Sequence, residues 1–85
     1  MKKKELYKQL IDTAAKLGIT VSEQNFRATN IRAKSGLCHI KGDPVFIMDK
    51  PLPIGEKAET LAACLRTMKT DEIYIMPAVR KYIDS

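Results

Sequence analysis

Cys38 and His39 stand side by side in "SGLCHIKGDPVFIMDK", and His39 is the only histidine of the chain. A thiol next to an imidazole could be half of a metal site, or a nucleophile with its base. Structural zinc takes four ligands, usually from paired cysteines and histidines at short spacing. This chain offers Cys38, His39 and Cys64 besides its carboxylates, with no CxxC or HxxxH. A Cys-His nucleophile needs the ring within hydrogen-bond reach of the sulfur and a third group to orient it. Neighbours on a strand point to opposite faces, so a strand here defeats both readings. Cys38 is then expected to share the inward face with Ile40 as a small core hydrophobe, leaving His39 as a surface or interface group. The GxSxG, P-loop, GxGxxG and HExxH motifs are absent. The expectation is no enzyme, no cofactor and no metal.

The elements that must hold this pair follow from periodicity. Leu6, Leu10, Ala14 and Leu17 form one stripe, predicting a helix over 3–17 with Gly18 as its C-terminal stop. Lysines in its first turns oppose the helix dipole. Residues 19–24 read as a connection. From Phe26 the pattern turns to strands at 26–34, 37–41 and 45–49, with turns at Ser35-Gly36 and Gly42-Asp43. Such spacing predicts a three-stranded antiparallel meander. Pro44, lacking an N–H, should begin its strand. Ile54, Ala58, Leu61, Leu65 and Met68 then mark a long helix over 53–69, with Pro53 at its first position. A short extended piece at Ile73–Ile75 and a last helix opened by Pro77 complete an α+β domain spanning 1–85.

The bulk properties fit that reading. Eighty-five residues with 45% hydrophobic and 29% charged content make one small domain. No apolar run approaches the ~18–20 residues of a membrane span. Two cysteines without an export signal point to the cytoplasm and to free thiols. The charge is +5, of which Lys2, Lys3 and Lys4 supply three.

Two binding readings remain. Between Glu23 and Asp43 no acidic residue occurs, whereas Arg27, Arg32, Lys34 and Lys41 do, so the first two strands could follow a nucleic-acid backbone. Base-stacking aromatics are scarce there, only Phe26 and His39. Charges on an edge strand also protect it from aggregation, with no ligand required. The favoured reading is a protein-binding or self-associating module, resting on strand three. Val45, Phe46, Ile47 and Met48 run apolar on both faces. If both helices cover one face, Phe46 and Met48 are expected to be left, with His39, for a homodimer or another protein partner.

The segment "GLCHIKGDPVFIMDKPLPIGEKAETLAACL" resembles a family of small bacterial proteins through Gly36, Cys38, Gly42, Asp49, Glu56 and the tail Pro77-Ala78-Val79-Arg80. The resemblance implies the double strand and the acidic helix start, and brings no activity with it. Thr60 to Thr67, "TLAACLRT", is also similar to the "TLAHELGH" helix of ImmA/IrrE-type metallopeptidase-like domains. Ala63 stands at the first histidine, Cys64 at the glutamate and Thr67 at the second histidine. That likeness implies a shared order of elements without peptidase activity.

Overall fold

A computed structural model describes residues 2–25 and 36–84. The chain is α+β, with helix α1 (Lys3–Lys16), strands β1 (Thr20–Gln24), β2 (Gly36–Ile40) and β3 (Asp43–Asp49), and helices α2 (Ile54–Arg66) and α3 (Pro77–Asp84).

α1 ends where the glycine demanded. Gly18 adopts a φ of 81°, its N–H donates to the Ala15 carbonyl, and the Ile19 N–H donates to Ala14 at 2.9 Å. This pair of bonds satisfies the last carbonyls of the helix and turns the chain straight into β1. Ile19 and Ala14 both enter the core, which fixes the exit angle.

The sheet corrects the antiparallel meander. Its order is β1-β3-β2, with β1 parallel to β3 and β2 antiparallel to it. The segment 19–24, read as a connection, contains the parallel strand β1. The strand expected at 26–34 lies outside the described residues. The physical reason for the order is the apolar run of β3. A strand with hydrophobic residues on both faces belongs in the middle of a sheet, between neighbours that satisfy both edges. Ile73–Ile75 forms no strand; it lies in the irregular chain between α2 and α3.

α1 and α2 occupy one face of this sheet, and α3 packs on those two helices. Val21, Phe46 and Met48 point into that layer and meet Tyr7, Leu10 and Ala14 of α1 and Ala58, Leu61, Ala62 and Leu65 of α2. α3 closes the open end of the helical pair with Val79 and Ile83, one turn apart and both buried. It is held by two arginines. Arg66 donates from Nε to the Ile83 carbonyl, and Arg80 reaches the Thr70 carbonyl at 3.1 Å and its hydroxyl at 3.3 Å.

β2 and β3 join through a two-residue turn. Ile40 pairs with Asp43, and Lys41 and Gly42 between them have φ of 53° and 84°. Two positive values identify a type I′ turn, whose twist matches a right-handed hairpin. The turn is Lys41-Gly42 rather than Gly42-Asp43, and Pro44 is the second residue of β3. In an antiparallel ladder starting from Ile40–Asp43, Pro44 directs its missing N–H away from β2. It points to the β1 side, where pairing begins only at Thr20–Val45, so no ladder bond is lost.

Candidate interaction face

The register separates the side chains of β2 and β3 into two sets. Leu37, His39, Phe46 and Met48 lie on the helix side of the sheet. Gly36, Cys38, Ile40, Val45 and Ile47 lie on the other. Phe46 is 2% exposed and Met48 fully buried, so neither is available as an interface residue. This corrects the expectation for strand three. Both helices do pack on one side, but they cover Phe46 and Met48 and leave Val45 and Ile47. Those two side chains are half-buried and stand outside the core cluster.

Cys38 is also corrected. It shares its face with Ile40 as expected, but that face is the outer one, and the thiol is free and exposed. His39 is exposed on the opposite face. The Cys-His pair is therefore divided by the sheet. Among the described residues no three His, Cys, Asp or Glu side chains are grouped to hold a metal ion. Cys64 is half-buried beside the core on α2, where burial pushes its thiol pKa up.

β2 extends past the helical layer. The helices pack on β1, on β3 and on one another, whereas β2 packs on β3. As a result both faces of β2 are open: Leu37 is 37% exposed on one and Ile40 48% on the other. Between them they form, with Val45 and Ile47, an apolar ribbon tipped by the exposed Lys41. Of the proposed basic set, Lys41 is placed at this tip. Arg27, Arg32 and Lys34 lie outside the described residues.

A second constellation escaped the sequence reading. Glu23 of β1 points to the helix side, where Tyr7 of α1 donates its hydroxyl to Oε2 at 2.9 Å. Lys57 of α2 donates to Oε1 at 2.8 Å, and its ammonium sits 5.9 Å from the Tyr7 ring centroid. The Lys57 hydrogen bond holds the Glu23 carboxyl below its usual range against partial desolvation, helped by Tyr7 and the charge of Lys50. Burial, then the Glu23 bond, pushes the Tyr7 phenol far above its ordinary value. Each carboxylate oxygen already has a donor and the phenol is held protonated. The cluster thus ties three elements together. Its signal in the sequence was a charged residue at an inward position of β1, which broke the alternation that marks a strand.

Other polar contacts tie the helices to neighbouring segments or close a helix end. Tyr82 donates to Glu59 at 2.8 Å, Lys16 donates to the Tyr74 carbonyl at 3.0 Å, and the Thr67 hydroxyl donates to the Cys64 carbonyl at 2.7 Å. No helix among the described residues is long and apolar enough to cross a membrane. Comparison with family models, curated proteins and solved structures finds no match to the chain.

Proposed function

We propose that this chain is a non-enzymatic interaction module whose working surface is the β2–β3 ribbon. The observation that supports this most is the exposure of Leu37 and Ile40 on opposite faces of one strand. Edge strands are ordinarily guarded by charge, proline or a covering element, because an open apolar edge recruits other chains. Gly36–Ile40 carries neither charge nor proline, and the helices leave it uncovered. Ribbon and helical layer divide the work: the helices stabilise the fold from one side and leave the other for contact.

The test compares the chain with a Leu37→Asp, Ile40→Lys double variant. Both positions are solvent-accessible, so the thermal unfolding of the variant should match that of the parent within about 0.5 kcal/mol per site. The two are passed over extract from the native cell and examined by sedimentation. Associations of the parent that disappear in the variant support the reading. A variant that keeps every association of the parent overturns it. Titration with a mixed oligonucleotide separates the nucleic-acid alternative, since phosphate contacts weaken steeply as salt rises.

A further inference from the structure

We infer that the occupant of this ribbon is a second copy of the same chain, paired through β2 about a two-fold axis at Cys38. The inference rests on the ribbon reading above and names its partner. It starts from the ladder. The type I′ turn makes Ile40–Asp43 a hydrogen-bonded pair, so Gly36, Cys38 and Ile40 direct their N–H and C=O groups to β3. Leu37 and His39 direct theirs to the other edge, which no strand among the described residues pairs. These are the groups that a further strand must satisfy.

An antiparallel copy of β2 can be set against this edge in several registers. The one centred on Cys38 places Leu37 opposite His39 of the second copy, and His39 opposite its Leu37. Every outward group of both strands is then hydrogen-bonded. Centring on His39 leaves Leu37 to pair with Lys41 of the turn, and centring on Leu37 leaves His39 without a partner among the described residues. Maximal pairing among the described residues therefore selects the Cys38 register.

Side-chain sizes agree with that register. On the outer face it brings Ile40 of each copy over Gly36 of the other, the large side chain opposite the residue that has none. Gly36 is also the register partner of Ile47, so the incoming Ile40 lies beside the Ile47 that the core omits. Cys38 pairs with Val45 within its own chain, so the row across the junction reads Val45, Cys38, Cys38, Val45. The result is a six-stranded sheet whose outer face has an apolar centre of Val45, Ile47, Cys38 and Ile40 from each copy, bordered by Asp43 and by Thr20, Ser22 and Gln24 of β1. The helices pack on β1, on β3 and on one another rather than on β2.

A five-residue edge buries less than the ~1,200 Å² of a standard interface, so the dimer belongs to the weak, reversible class. Its charge dependence is distinctive. Each copy carries +5, and like charge opposes association unless salt screens it. Self-association should strengthen as salt rises, opposite to the behaviour of nucleic-acid binding.

Cys38 reports the register. At a non-hydrogen-bonded antiparallel pair the Cα atoms lie ~4.5 Å apart, within the ~4.4–6.8 Å that a disulfide spans. The probe is diamide, which takes one hydrogen from each thiol, is reduced to the hydrazine, and leaves one S–S bond between the two sulfurs. In a Cys64→Ala background, Cys38 should cross-link rapidly, and moving the thiol by Cys38→Ser with Ile40→Cys should slow linkage at least about tenfold, since that thiol faces a glycine. Sedimentation from micromolar to millimolar concentration should show a dimer in the parent, and Ile40→Lys should weaken it about tenfold or more. A chain that stays monomeric throughout, or one that links equally well through Cys38 and Ile40→Cys, overturns the inference. If the parent is monomeric but ribbon-dependent capture persists, the dimer falls and the interaction reading stands. Loss of both removes both.

Discussion

Lys41 and Gly42 carry the sharpest backbone demand in the described chain. Lys41 is the one non-glycine there with a positive φ, at 53°, where its Cβ crowds the following carbonyl. Asparagine tolerates this region, and Asn-Gly is the preferred pair for a type I′ turn. Lys41→Asn should therefore stabilise the fold by roughly 0.5–1 kcal/mol, read as a higher urea midpoint. Gly42→Ala should cost about 1–2 kcal/mol. A Cβ at Gly42 would meet nothing within 4 Å, so that cost is conformational rather than steric. Glu23 makes a different prediction. Its carboxyl pKa is lower in the folded chain, so its stabilising effect is present above the ordinary value of 4.5 and is lost as pH falls through the folded one. Glu23→Gln should flatten the acid limb of the stability–pH curve below about pH 5, followed by thermal unfolding across that range.

At the scale of the element, the helices and the β2–β3 hairpin were readable, and β1 with its parallel pairing was not. α2 spans Ile54–Arg66, shorter than the expected 53–69: Ala58, Leu61 and Leu65 of its stripe are buried, whereas Ile54 is exposed and Met68 lies beyond the helix end. Periodicity of 3.6 survives in sequence because a long helix repeats it several times. Pro53 proved to be the cap rather than the first helical residue, with an extended ψ of 149°. Leu61→Ala should cost about 2–5 kcal/mol, because the fully buried side chain leaves a cavity between two helices and the sheet. α1 starts poorly: Lys2 caps it without a side-chain bond and its first turn is rich in lysine. Lys2→Asp should raise stability by about 1 kcal/mol, by accepting from the first free N–H groups and complementing the dipole. β1 was missed because five residues give a period-two pattern few chances, and the inward Glu23 spoiled one of them.

For the whole molecule, the decisive feature is the one-sided layering of helices on a mixed sheet. It buries Phe46 and Met48 and assigns the opposite face to Val45, Ile47, Cys38 and Ile40. A module that works through that face should associate more strongly at about 200 mM salt than at about 20 mM, with its net charge screened, as sedimentation would measure. The sequence by itself determined the helical stripes, the glycine stop at Gly18, the β2–β3 hairpin and the opposed faces of Cys38 and His39. Each of these depends on spacing within one segment, where local sterics and periodicity decide. Only the tertiary structure decided that β1 runs parallel to β3, that Glu23 is an inward tie to Tyr7 and Lys57, and which face of β3 remains open. An apolar strand reads the same from both sides until helices pack on one of them, so the choice between Phe46–Met48 and Val45–Ile47 belongs to the fold.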